Sequence, residues 1–221
     1  MMQLSLRTLP LAAMLVALPL AAQMPATPVL QNAWTNAGIT IAANYGHATD
    51  ASAFAGALAW APTNARFLLS AGGGAVRVDS GTSRAGYGAR LSIPLLEFAS
   101  GSIGTAAFGG VGFMSVKGVR ESNFPFGVSL GWRHALGATR AVSAYAAPFY
   151  VISRRKSSVS GASENLRAGA FRASVGVDVT VAPQLGITVG FESGARARDA
   201  DPGPRGSVFG VALSYALHRQ R

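Results

Sequence analysis

The stretch Phe171–Val181, FRASVGVDVTV, alternates apolar side chains with polar or very small ones. Its odd-numbered positions hold Phe, Ala and Val, whereas its even-numbered positions hold Arg, Ser, Gly, Asp and Thr. Successive side chains of a β-strand point to opposite faces, so this order gives one apolar face and one polar or small face. A helix would mix the two sets on every face, and β-branched residues disfavour it. The stretch therefore predicts a strand.

The same alternation recurs along most of the chain. Clear repeats lie at 39–45, 87–93, 126–133, 185–192 and 209–217. Weaker ones, in which Ala and Gly blur the two faces, lie near 53–60, 65–78, 103–117 and 141–152. Together these stretches predict ten strands. An eight-strand fold is the alternative if two of the weak stretches are not strands.

The residues between the strands predict hairpins in a fixed register. If 182–184 form a three-residue turn, Val181 pairs with Leu185 and Val177 with Val189, so apolar residues meet across the pair. A turn one residue shorter would place each apolar residue opposite a polar one. The pattern also predicts shorter connections at one end of the fold and longer ones at the other. At the first end, short connections are expected at 61–64, 134–139 and 182–184 and a somewhat longer one at 96–102. At the other end, the longer connections are expected at 153–165 and 195–206, with shorter ones at 79–84 and 118–122.

The small residues on the polar face indicate which face meets lipid. A water-soluble barrel carries Lys, Glu, Asp and Gln outside, but here the non-apolar face is mostly Gly, Ser, Thr and Ala. We therefore expect the large apolar face to point outward into lipid and the small residues to line a narrow lumen. Trp60, Trp132 and Tyr215 fall near equivalent strand ends, as interfacial aromatic residues do. An unpaired strand edge is costly in hydrocarbon, so the first strand should pair with the last and close the barrel.

Composition agrees with an exported membrane barrel. The chain has 221 residues, of which 49% are apolar and 13% charged, and it contains no cysteine. Its longest apolar run, 9–22, is shorter than the roughly 20 residues that a membrane-spanning helix needs. Arg7, the apolar run and Leu20-Ala21-Ala22 predict a signal peptide over residues 1–22, cleaved after Ala22. We expect a periplasmic segment over 23–36 and the barrel over 37–221.

The chain resembles the small bacterial outer-membrane β-barrels of the porin-like or opacity type. The resemblance covers the signal peptide and residues 37–217, and NFPFGVSLGWR (123–133) and SVFGVALSYAL (207–217) carry it most clearly. It implies a closed antiparallel up-and-down barrel in the bacterial outer membrane. The family ends in an aromatic-rich strand that closes on Phe and is recognised by the barrel assembly machinery. Here Tyr215-Ala216-Leu217 is similar, but His218-Arg219-Gln220-Arg221 follows it.

Charged residues on the inward face form the first candidate site. They are Arg90, Arg133, Arg172, Asp178 and Glu192. In the register above, Glu192 lies diagonal to Arg172, within reach of a long side chain. A network of ion pairs that compensates buried charge and an ion-selective constriction are the two interpretations.

Basic residues in the expected outer loops form the second candidate site. They are Arg120, Arg154, Arg155, Lys156, Arg196, Arg198 and Arg205. Arginine pairs with phosphate through two parallel hydrogen bonds, so the phosphates of lipopolysaccharide are the candidate partner. The chain has 19 Lys and Arg against 9 Asp and Glu, but the basic residues are scattered and form no long run. We therefore expect no nucleic-acid partner.

No constellation of catalytic residues stands out. No His-x-Ser sequence occurs, and His47 with Asp50 lacks the second acidic pair of an omptin-type protease. We expect no enzyme activity, no cofactor and no metal. The sequence predicts a barrel with a structural or surface-interaction role and a narrow, largely filled lumen. The alternatives are a narrow channel for ions or small solutes and, less favoured, a soluble periplasmic barrel that binds an apolar ligand.

Overall fold

The protein folds into one closed barrel of ten antiparallel strands in the computed structural model. The structure describes residues 27, 29–34, 37–49, 51–64, 66–78, 81, 83–116, 119–137, 140–157, 164–194 and 206–217. The strands are β1 (Gly38–Ala48), β2 (Ala51–Ala61), β3 (Leu68–Val78), β4 (Ser83–Phe98), β5 (Ile103–Val116), β6 (Val119–Ala135), β7 (Ala141–Ser157), β8 (Glu164–Ala182), β9 (Leu185–Gly194) and β10 (Val208–Ala216). Among the described residues, no helix is long and apolar enough to cross a bilayer.

Each strand pairs with its neighbours in sequence, and β1 pairs with β10 to close the barrel. Ile41 lies opposite Tyr215 and Tyr45 opposite Val211, which confirms the predicted closure. Closure leaves no strand with an unpaired edge, as hydrocarbon requires. The ten-strand prediction is therefore confirmed, and the eight-strand alternative is wrong.

The predicted register of β8 and β9 is confirmed over most of the hairpin. Val177 lies opposite Val189, and the pairing continues in step as far as Thr180 with Gly186. At the turn the prediction is wrong, because Ala182, not Val181, lies opposite Leu185. Val181 is the extra residue of a β-bulge, which shortens the turn to Pro183-Gln184 without changing the faces of the two strands.

Large apolar side chains cover the outside of the barrel. Val175, Val177 and Val189 are 50%, 43% and 41% exposed, and Phe126 and Leu213 of other strands are exposed to similar extents. A water-soluble barrel would enclose these rows, so the soluble alternative is not supported. Every strand except β3 carries at least one large exposed apolar side chain, and such an exterior matches the hydrocarbon of a bilayer.

Aromatic rings border this apolar exterior near both ends. Trp60, Trp132 and Tyr215 are exposed near the end where β1 begins and β10 finishes, here called the terminal end. Near the opposite, distal end, Tyr87 packs on Phe113 with their ring centroids 5.4 Å apart. Amphipathic rings favour the level of lipid headgroups, so the two sets mark the edges of the apolar band.

The expected connection lengths are confirmed except at one place, where the long connection predicted at 153–165 is wrong. At the terminal end the strands are joined by 62–67, 99–102, 136–140 and 183–184, and at the distal end by 49–50, 79–82, 117–118, 158–163 and 195–207. Only the last of these is long. The connections at 117–118 and 158–163 are short because β6, β7 and β8 continue beyond the apolar band as polar strands, where loops were predicted.

Candidate functional site

Residues 29–34, here called the lumen segment, lie inside the barrel. Val29, Gln31 and Ala33 are almost fully buried, although the segment belongs to no strand. The sequence analysis placed 23–36 outside the barrel in the periplasm, and for 29–34 the structure differs from that prediction. Residues 1–22, the predicted signal peptide, lie outside the described part of the chain.

The best-buried charges of the lumen are Arg172 on β8 and Glu192 on β9. Their side chains are 0% and 2% exposed, and the Arg172 Nε lies 2.5 Å from the Glu192 Oε1. Arg172 also donates from Nη2 to the carbonyl oxygen of Gly206, over 2.6 Å. The pair therefore joins β8 and β9 to Gly206, two residues before β10, and it brings together two of the predicted lumen residues.

Glu192 also anchors the lumen segment. The backbone N–H of Val29 donates to the Glu192 Oε2 over 2.9 Å, and the Ser174 hydroxyl donates to the carbonyl oxygen of Val29 over 2.6 Å. The Val29 side chain packs in a buried apolar cluster that includes Phe108 and Phe149. One residue of the segment thus has its backbone donor, its backbone acceptor and its side chain all held by the barrel wall.

Arg90 and Asp178 hold the rest of the lumen segment. Arg90 donates from Nη1 to the carbonyl oxygen of Leu30 over 3.2 Å and to the Gln31 Oε1 over 3.3 Å. Asp178 accepts hydrogen bonds from the Asn32 amide and the Ser143 hydroxyl. These two predicted lumen residues therefore meet groups of the segment, a partner that the sequence analysis did not foresee.

Arg133, the fifth predicted lumen residue, stands apart from the others. It has the inward parity of β6 and is half-buried near the terminal end, where its backbone N–H donates to the carbonyl oxygen of Ser102 over 2.8 Å. Its side chain forms no ion pair with any residue that the structure describes. The structure thus connects four of the five predicted charges through the lumen segment and the Arg172–Glu192 pair, and leaves Arg133 outside this set.

A cavity of about 300 Å³ remains beside the lumen segment. Its wall on β1, β2 and β3 consists mainly of small or short side chains, whereas Arg90 and Asp178 border it on other strands. Gln31, Asn32 and Trp34 of the segment form its remaining side. The space is large enough for several water molecules.

The basic residues at the distal end lie on strands instead of in a loop, which corrects the sequence analysis. Arg120 lies on β6, and Arg154, Arg155 and Lys156 lie on β7. Arg155 points inward and pairs with Glu121, with its Nη2 3.2 Å from the Oε2. It is therefore turned away from the lipid-facing side. Arg196, Arg198 and Arg205 lie outside the described residues.

Four outward-facing basic residues of β6, β7 and β8 form a cluster at the distal rim, here called the outer basic cluster. Arg120 is directly opposite Lys156, and Arg154 is directly opposite Arg167. The Arg154 guanidinium also lies over the Phe124 ring, 5.8 Å from its centroid. Arg167 was not among the predicted residues, because it lies between the loop expected at 153–165 and the stretch from Phe171 that predicted the strand.

Carboxylates are absent from this outward face in the described part of the barrel. All five described carboxylates have the inward parity of their strands: Glu97, Glu121, Glu164, Asp178 and Glu192. Like charges directly opposite each other on neighbouring strands repel. The outer basic cluster therefore has the chemistry of a site for an anion that comes from outside the chain.

Comparisons with known proteins find similar structures only. No family model matches the chain, and no curated protein matches its sequence. The crystal structure of Neisserial surface protein A is 12% identical over 83% of this chain and 99% of its own, with a TM-score of 0.40. The KdgM porin in complex with oligogalacturonate is 11% identical over 81% and 99%, with a TM-score of 0.42. The Escherichia coli outer membrane protease OmpT is 9% identical over 85% and 99%, with a TM-score of 0.41.

Proposed function

We propose that the protein is an integral barrel of the bacterial outer membrane with a non-catalytic, surface-interaction role. The observation that carries the proposal is an apolar exterior that ends, at the distal rim, in the outer basic cluster. The apolar band matches the hydrocarbon core, and the cations above it lie at the level of lipid headgroups. Because β1 begins and β10 finishes at the opposite, terminal end, the cluster faces the cell exterior if the terminal end is periplasmic.

The partner of the outer basic cluster, in this proposal, is the phosphate groups of lipopolysaccharide. Side chains directly opposite on neighbouring strands have Cβ atoms about 5 Å apart, and positions two residues along a strand are about 7 Å apart. Arg120, Arg154, Lys156 and Arg167 thus form a compact patch that can surround one or two phosphates. Arginine binds a phosphate with two parallel hydrogen bonds, which favours the phosphates over zwitterionic headgroups.

Membrane insertion is tested first and separately. The full chain should fractionate with outer membranes and migrate faster on gels before boiling than after it, since a closed barrel resists detergent until it is heated. A protein recovered free in the periplasmic extract would contradict the proposal. The assembly machinery is expected to recognise the last strand, β10, whose outward side chains include Phe209 and Tyr215.

Lipopolysaccharide binding is tested by neutralising the outward charges. Arg154→Gln with Arg167→Gln should weaken binding to lipopolysaccharide-containing vesicles at least fivefold, because two of the four cations are removed. Arg155→Gln is the matched control, because it lies on the same rim but points inward to Glu121. Dephosphorylated lipopolysaccharide should bind both proteins equally weakly. Equal binding of intact lipopolysaccharide by the double variant and the control would refute the assignment.

A further inference from the structure

The lumen segment is bound by side chains of the barrel wall and takes no part in the hydrogen-bonded strand ladder. Among the described residues, the strands of the barrel pair only with one another, and residues 29–34 make no backbone pairing with them. The segment is instead bound by wall side chains, through Glu192, Ser174 and Arg90 to its backbone. The ladder is therefore complete without the segment.

The wall also provides space for individual side chains of the segment. The Trp34 ring lies against Gly104 and Gly131, where an added Cβ would press on it. The Leu30 side chain occupies the corresponding space at Gly190. Backbone hydrogen bonds combined with separate spaces for particular side chains are the usual means by which proteins recognise an extended peptide.

Polar side chains of the segment find polar partners on the wall. The Gln31 amide donates to the Ser92 hydroxyl over 3.0 Å, and the Asn32 amide donates to the Ser143 hydroxyl over 2.9 Å. Ser92 is almost fully buried and Ser143 is buried at the edge of the lumen. The wall therefore matches the order of side chains in Val29–Trp34, besides holding its backbone.

We propose that the barrel lumen is a binding site for an extended peptide, that its occupant is the lumen segment, and that this segment leaves and re-enters through the terminal end. The proposal rests on the barrel being inserted in a membrane, as proposed above. The wall on β1, β2 and β3 is lined by small side chains, so departure of the segment joins its volume to the existing cavity. The emptied lumen is then a water-filled path that admits small solutes.

Exchange of the segment is tested with single thiols, since the natural chain has no cysteine. Ala33→Cys places a thiol in the segment, and Ala53→Cys places one on the inner wall of β2. The two alanines are 3% and 2% exposed, and Ala53 packs with Val76 and Met114 in a cluster separate from the segment. In the folded, membrane-inserted protein, a water-soluble maleimide should react at least tenfold faster at position 33.

Equal labelling at the two positions, or labelling at position 33 only after heating, would overturn the proposal. Gel mobility of the same unboiled samples shows whether the barrel is folded. An unfolded or uninserted barrel would count against the proposed function, whereas a folded barrel with an unreactive Ala33→Cys would count against the exchange of the segment alone.

Peptide recognition is tested by weakening the tethered segment and supplying it in trans. A tethered ligand has an effective concentration in the millimolar range, so the chain's own segment must first be weakened. Asn32→Ala with Trp34→Ala should give stepwise conductance in planar bilayers, at least tenfold more often than the natural protein. The peptide TPVLQNAWTN (27–36), added at the terminal end, should block these steps. The same peptide with Ala in place of Trp is the control.

Two results would refute peptide recognition in the lumen. One is a folded double variant that remains closed, which would mean that wall side chains alone fill the lumen. The other is equal block by the peptide and by its control. The thiol experiment decides the matter if the double variant does not fold, because it leaves Asn32 and Trp34 unchanged.

Discussion

Removal of the Glu192 charge should destabilise the barrel more than removal of any one of the other four carboxylates that the structure describes. Glu192→Gln leaves the Arg172 guanidinium, which is 0% exposed, without its counter-ion. Breaking a buried ion pair on one side costs about 3–5 kcal/mol of unfolding free energy, because the remaining charge stays out of water. The hydrogen bond to the Val29 N–H survives if the amide oxygen takes the place of Oε2, so the pair accounts for most of the loss.

The assay is urea unfolding of the protein in lipid vesicles, followed by gel mobility without boiling. Glu121→Gln is the control, since Glu121 pairs with Arg155 at the rim, where the two side chains are 10% and 26% exposed. Such a pair contributes about 1 kcal/mol or less. The double variant Arg172→Met with Glu192→Leu should recover part of the stability lost in Glu192→Gln, because it leaves no buried charge unpaired.

Two results would refute this reasoning. If Glu192→Gln unfolds at the same urea concentration as Glu121→Gln, the lumen around Arg172 is wetter than the described structure indicates. If the double variant is less stable than Glu192→Gln, the favourable interactions of the ion pair exceed the free energy that its two charges lose by leaving water.

Two further predictions concern the wall. Val177→Arg places a charge on the lipid-facing side of β8 and should cost roughly 2–4 kcal/mol in vesicle unfolding, whereas an unchanged midpoint would contradict the outward placement of Val177. Gly74→Ala should prevent or strongly slow folding, because a Cβ there would overlap the backbone of Phe54, whereas Gly56→Ala meets nothing within 4 Å and should fold normally. Gel mobility before boiling measures both glycine variants, and equal yields would show that the strands adjust.

The strands and their faces were predictable because a period of two is a direct consequence of strand geometry. The alternation in 171–181 and 185–192 gave both the outward faces and a register correct from Ser174 to Thr180. The bulge at Val181 was not predictable, since either turn keeps Val177 opposite Val189.

The distal ends of β7 and β8 were misread for a physical reason. Beyond the apolar band a strand no longer needs a lipid-facing apolar row, so SRRKS (153–157) looked like a loop although it continues β7. Alternation persists there in another form, because Arg154 and Lys156 point outward and Arg155 inward. Polarity marks the edge of the membrane, and it does not mark the end of the strand.

The lumen segment was missed because its sequence, VLQNAW, has no period. Its position depends on long-range complementarity with six strands, β4 to β9, which no local pattern records. A signal did exist in the wall: the inward glycines at 104, 131 and 190 leave space that something must fill. The sequence analysis took these small residues as evidence that the strands themselves crowd the axis, whereas Leu30 and Trp34 occupy the space.

The two sides of the lumen differ in the size of their side chains and in how closely they contact the lumen segment. On β5 and β7, Phe108, Tyr145 and Phe149 are buried with Val29 in one apolar cluster, so this side gains packing from the lumen segment. On β1, β2 and β3 the wall keeps small side chains and borders the cavity. Loss of the segment would thus expose one apolar patch to lumen water while the ladder stays intact. If the segment exchanges as proposed, substitutions in it should change closure of the lumen before they change folding of the barrel, although Val29 and Glu192 contribute to both.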